Sequence, residues 1–212
     1  MDSNAHPWGT LFVSAAQRRL AILKPMRVAI IIGSTRPNRK SAKVALWVFE
    51  QARERDDLEV ELVDLADQGL PVFDEGIPPG AGKYEHDHTK RWAALIDSFD
   101  GYVFVTPEYN HGIPGVLKNA LDFIYAEWND KVAGFVGYGN TGGARSVEQL
   151  RLVMAELQVA TVRSTVALSI FTDFDKENKF TPDERHLKKL GAMLDELVAW
   201  GGALKGVRES RG

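Results

Sequence analysis

From Met26 onward, short apolar runs rich in β-branched residues alternate with segments whose apolar residues recur at helical spacing. That alternation constrains the fold more than any other feature of the chain. RVAII (27–31) is apolar throughout, as expected of a strand buried on both faces of a parallel sheet. After it, Ala45, Val48, Phe49 and Ala52 fall at i, i+3, i+4 and i+7, the stripe of an amphipathic helix. LEVELVDL (58–65) alternates like a strand nearer a sheet edge. Trp92, Leu95, Ile96 and Phe99 mark a helix that leads into the strand YVFVT (102–106). Leu117, Ala120, Leu121 and Ile124 mark the next helix, with Pro114 placed for its first turn. KVAGFVGY (131–138) and ATVRSTVALSI (160–170) read as strands on either side of a helix striped by Val147, Leu150, Met154 and Leu157. Leu187, Leu190, Leu194 and Leu197 stripe the last helix, and the Pro/Gly-rich QGLPVFDEGIPPGAG (68–82) reads as a long loop.

Five strands alternating with five helices predict an α/β fold, a doubly wound parallel sheet, because right-handed crossovers put helices on both faces. The number of units favours the flavodoxin-like strand order 2-1-3-4-5, with a ligand crevice outside the carboxyl ends of the strands at the switch between strands 1 and 3. The 212 residues suit one such domain, read here as 26–204 with a C-terminal tail over 205–212. Residues 1–25 fit no element of the alternation. They read either as an over-called start ahead of Met26 or as a short helix, 10–23, that packs on a neighbouring subunit.

Composition removes several classes of function. Net charge is −3, from 26 basic and 29 acidic groups, so there is no nucleic-acid footprint and no polybasic membrane signature. No apolar run approaches the ~20 residues of a membrane helix, and Gln17, Arg18 and Arg19 interrupt what would be a secretory signal. The chain has no cysteine, which excludes disulfides, thiolate nucleophiles and Cys-based metal sites. It suits a reducing compartment, and a cytoplasmic protein is expected.

Three loops of unusual composition are predicted to converge at the crevice. GSTRPNRKS (33–41) supplies hydroxyls from Ser34, Thr35 and Ser41 and cations from Arg36, Arg39 and Lys40, and it ends at a helix N-terminus where an anion is favoured. A phosphate suits it, with Arg36 able to hold one through a forked, charge-assisted bond. The alternative is a solvated turn with Ser41 as N-cap. TPEYNHGIPG (106–115) is stiffened by two prolines, while Gly112 and Gly115 allow positive φ or close approach. Its amides and carbonyls can line the polar edge of a flat heterocycle with Tyr109 over one face. GNTGG (139–143) has so few side chains that a planar ring can lie on its backbone, and its amides open a helix whose dipole favours negative charge. A phosphate at one end and a flat, polar-edged ring at the other describe a mononucleotide, and FMN suits this fold best.

GSTRPNRKS, PEYNHGIPGVLKNALDF and YGNTGGARSVEQLR, in this order and on these strands, resemble the NADPH-dependent FMN reductase family, whose members include flavin, quinone, azo-dye and chromate reductases. The resemblance covers about residues 26–200. It implies that Ser34, Arg36, Lys40 and Ser41 hold the FMN phosphate, that Pro107, Glu108, Tyr109 and Asn110 line the isoalloxazine, and that Gly139, Asn140, Thr141 and Gly142 close its other side. It further implies NADPH or NADH as co-substrate, a small-molecule electron acceptor, and a homodimer or homotetramer. The expected reaction is hydride transfer through FMN by a ping-pong scheme, which requires no catalytic side chain. The competing reading is a flavodoxin-like electron carrier without substrate turnover of its own. No metal site is expected: His86-Asp87-His88 reads as a solvated loop. Tyr125 and Trp128 read as core or dimer-interface aromatics.

Overall fold

The computed structural model describes residues 24–211. Five parallel strands form one sheet in the order β2-β1-β3-β4-β5, as the alternation predicts. The strands are β1 (Met26–Ile32), β2 (Leu58–Asp64), β3 (Gly101–Pro107), β4 (Val132–Gly139) and β5 (Ala160–Ser169). The crossover helices are α1 (Ser41–Ala52), α2 (Asp87–Asp97), α3 (Gly115–Asp122) and α4 (Ala144–Glu156), and α5 (Glu184–Arg211) closes the chain.

Side chains of the central strands alternate between two cores. Ile31, Phe104 and Phe135 face α2, α3 and α4, whereas Ile30, Val103, Val105, Val136 and Tyr138 face α1 and α5. β3 and β4 are buried along their whole length, so each of these large apolar side chains contributes about 1.5–3 kcal/mol by leaving water. β2 buries only Leu58 and Val63 fully, which fits its place at an edge. Trp128 is fully buried against Tyr102, near the amino end of the sheet, so it belongs to the core and not to the crevice.

Several local readings shift. Leu187 is exposed, and Leu190, Leu194 and Leu197 carry the buried stripe of α5. That helix continues through residues 205–211, the segment read from sequence as a tail, and Arg208 ties it to Asp100 and to the Asp130 carbonyl. The loop over 68–82 contains a 3-10 turn, Pro79–Ala81. His86-Asp87-His88 is no free loop: His86 and His88 bond to Asp74, and the Glu75 carboxylate accepts the amides of Glu85 and His86 at the start of α2. The helix considered for residues 10–23 lies outside the described residues. No helix among the described residues is long and apolar enough to cross a membrane.

Candidate functional site

The loops after β1, β3, β4 and β5 surround a crevice of about 730 Å³ at the carboxyl edge of the sheet. Its β3 wall is rigid for identifiable reasons. The Glu108 amide donates to the Tyr138 carbonyl at 3.2 Å, extending the pairing of β3 with β4 by one bond. Tyr109 and Gly112 then exchange two backbone bonds of 3.0 Å across a tight turn. The central residues of that turn, Asn110 and His111, have φ of 49° and 66°, both left-handed. Two left-handed residues make a type I′ turn, for which Asn-Gly is the usual pair. Positive φ therefore falls on Asn110 and His111 and not on the glycines; of the two alternatives the sequence offered, Gly112 serves close approach, since a Cβ there would stand 3.0 Å from Gln149 Oε1.

Glu108 joins this wall to the next loop. Its carboxylate accepts the Arg145 guanidinium at 2.6 Å and the Arg145 backbone amide at 3.0 Å. The residue preceding α4 is Gly143, which offers no side-chain cap, so Glu108 caps that helix from another strand. Burial pushes the Glu108 carboxyl up, but bonding from Arg145 outweighs it and holds the pKa below the usual carboxylate value. The sequence reading left the start of α4 free for a ring; in the structure a carboxylate sits there, itself balanced by Arg145. The glycine loop beneath is tightly folded. Gly142 and Gly143 have φ of 68° and 71°, and a Cβ on Gly143 would stand 2.7 Å from the Tyr138 nitrogen.

The β1 side has a different character. Ser34 is fully buried, and its hydroxyl meets the Tyr109 hydroxyl at 2.8 Å, so it ties two loops together behind the crevice lining. Arg36 stands exposed at the rim. Arg39 pairs with Asp64, while Lys40 donates to Asn178 and lies 4.1 Å from the Phe174 ring centre. Burial and the neighbouring Lys43 both lower the Lys40 pKa, with Asp175 opposing them. Ser41 is the first residue of α1 and not its cap. Its hydroxyl is buried and has no hydrogen-bond partner among the described residues; the same holds for the Tyr138 hydroxyl and for Arg39 Nε. Burial pushes the Tyr138 phenol up to about 12, with the nearby Ser41 hydroxyl and amide pulling the other way.

Nine of the twelve residues singled out from sequence line the crevice: Arg36, Lys40, Pro107, Glu108, Tyr109, Asn110, Gly139, Asn140 and Thr141. Ser34, Ser41 and Gly142 are not part of that lining; Ser34 and Ser41 are buried beside it in the β1 loop and at the start of α1. Sequence reasoning did not place Tyr138, Arg145, Ile170 or Asn178 there. Ile170 and Asn178 belong to the loop after β5, and the adjacency of β5 to β4 was the available signal.

The family model for NADPH-dependent FMN reductases matches residues 26–173, which span all five strands and all three loops foreseen at the crevice. The chain belongs to this family. An NAD(P)H-dependent FMN reductase of Schizosaccharomyces pombe is 38% identical over 169 residues, covering 79% of this chain and 84% of that protein. A quinone reductase of Pseudomonas putida is 30% identical over 189 residues, covering 82% and 93%. Among solved structures, the NAD(P)H:(acceptor) oxidoreductase FerB of Paracoccus denitrificans superposes with a TM-score of 0.67 at 24% identity, covering 84% of this chain and 98% of that one, a likeness of fold. This FMN reductase family member is an oxidoreductase, and its crevice lining is cationic: it carries Arg36, Arg39, Lys40 and Arg145 and one carboxylate, Glu108, which pairs with Arg145.

Proposed function

We propose that the chain is an FMN-dependent NAD(P)H oxidoreductase that reduces a small acceptor, such as a quinone or a flavin, by a ping-pong scheme. The observation that carries the reading is the convergence of four loops on one crevice with two unlike ends. At one end, buried donors on Ser41, Arg39 and Tyr138 have no partner among the described residues, which is the donor set a phosphate ester needs. At the other, the Tyr109–Gly112 turn and the 139–142 backbone offer a flat wall with polar edges. These residues fit FMN. When bound, FMN supplies the hydride-accepting ring, and the protein supplies position and electrostatics. Glu108 and Arg145 hold the two ring walls in register, and Tyr109 is oriented by its bond to Ser34.

Donor and acceptor use the one crevice in turn in this reading, so they exclude each other. Initial rates over a grid of NADPH and quinone concentrations are expected to give parallel double-reciprocal lines. Intersecting lines with a detectable ternary complex would overturn the single-crevice scheme. Absence of NADPH oxidation in a flavin-loaded chain would favour the electron-carrier reading. Mass spectrometry of the heat-released ligand is expected to show one FMN per chain.

A further inference from the structure

We propose that the Tyr138 phenol, with the Ser41 hydroxyl, reads the phosphate of the flavin nucleotide and thereby separates FMN from unphosphorylated flavin; this rests on the FMN reading above. Tyr138 sits one residue before the end of β4, on the face of the sheet that packs against α1. Its side chain lines the crevice yet is 5% exposed, and Ser41 at the first position of α1 is 0% exposed. The phenol, the Ser41 hydroxyl and the Ser41 amide lie close together, with the Arg39 guanidinium in electrostatic reach, but the two hydroxyls do not meet in hydrogen-bonding geometry. No side chain caps α1, so its first amides and dipole face the same spot.

Buried hydroxyls without a partner are costly and rare, and in a native chain they call for an explanation. A phosphate monoester answers it here. Its oxygens accept from both hydroxyls, from Arg39 Nε and from the helix amides, while a riboflavin hydroxyl reaches at most one of them. Of the two cations the sequence put forward, Arg36 stands exposed at the rim, and Lys40 has its ammonium engaged by Asn178 and the Phe174 ring. The phosphate is therefore read by donors from two different elements, β4 and α1.

The test is Tyr138→Phe, which removes one oxygen and keeps the ring in its apolar socket. Titrations of the full chain, freed of flavin, are run with FMN, riboflavin and inorganic phosphate. A lost bond to a charged group is expected to weaken FMN about tenfold, leave riboflavin unchanged, and remove the rise in Tm that inorganic phosphate gives the wild type. The flavin-free variant is expected to melt at or above the wild type, because an unsatisfied buried hydroxyl is gone. Equal weakening of FMN and riboflavin, an unchanged FMN affinity, or a lower melting point of the flavin-free variant would overturn the proposal. If Tyr138→Phe does not fold, its oxygen is structural and the phenol's role falls, while Ser41→Ala then decides by the same FMN-to-riboflavin ratio whether the α1 start reads phosphate. A wild type that binds riboflavin as tightly as FMN refutes phosphate reading and leaves the flavin site standing. A wild type that binds no flavin refutes both.

Discussion

The two ends of the crevice are built on opposite terms. Around Glu108–Gly112 and Gly139–Arg145, the polar groups that shape the wall are bonded to one another: Glu108 to Arg145, Tyr109 to Gly112, the Glu108 amide to the Tyr138 carbonyl. Around Ser41 and Tyr138, buried donors remain without partners among the described residues. The first arrangement holds its shape without a ligand, as preorganised binding walls must. In the proposed reading, the second gains its bonds only when an anion arrives. Changes at the ring end should therefore act first on stability, and changes at the phosphate end first on affinity.

The largest effect that would break this contrast is expected at Gly143. Its φ of 71° is left-handed, and an added Cβ would meet the Tyr138 nitrogen at 2.7 Å, backbone that has no room to give. Left-handed strain and overpacking each cost about 1–3 kcal/mol. Gly143→Ala is thus expected to lower Tm by roughly 5–15 °C for a chain of this size. A thermal melt within a degree of wild type would show that the 139–143 loop is not held as tightly as its contacts indicate.

Glu108→Ala comes next. It removes the cap of α4 and leaves Arg145 without its carboxylate, a loss of about 1.5–3 kcal/mol for bonds to a charged group. The pH dependence gives a sharper test. Because the folded pKa of Glu108 lies below its ordinary value, its stabilisation is complete above the unfolded value of about 4.3 and fades as pH falls through the folded one. The gap in Tm between wild type and variant should be constant near neutrality and shrink only in acid. A gap that shrinks with rising pH instead would mean the carboxylate is not stabilised by Arg145.

These residues also show how far the sequence could be read. The strand order follows from periodicity and crossover handedness, and the near-continuous apolar runs of β3 and β4 match their burial at every position. The ring loops were legible because Pro and Gly punctuate them. Tyr138 was not: it lies at an inward position of a period-2 run, where an aromatic reads as core, and only the third dimension shows its hydroxyl against the start of α1. Asn178 was hidden for another reason. Its loop is polar and without period, and the bonds from Lys40 and Lys43 that bring it to the crevice span more than a hundred residues. Glu108 was expected to line the ring, but its partner Arg145 has no sequence signature at that distance.

The smallest effect is expected at His111, one of two left-handed non-glycine residues in the ring wall and, unlike Asn110, without the short polar side chain that eases that region. His111 takes the second left-handed position of the type I′ turn, at φ 66°, where glycine is preferred. A non-glycine residue in that region costs about 1–2 kcal/mol. Glycine removes the cost but gives back about 0.5–1 kcal/mol through the freedom of the unfolded chain. The turn itself does not depend on the imidazole, because Gln149 holds it by the main chain, donating to the His111 carbonyl at 3.0 Å and accepting the Ile113 amide at 3.3 Å. His111→Gly is therefore expected to raise stability by roughly 0.5–1 kcal/mol, or about 1–4 °C in Tm, with FMN affinity unchanged. A fall in Tm would show that the imidazole makes a stabilising contact. An unchanged Tm with weakened FMN binding would move His111 from the scaffold of the ring wall to its binding surface, and would end the claim that this wall is complete before the ligand arrives.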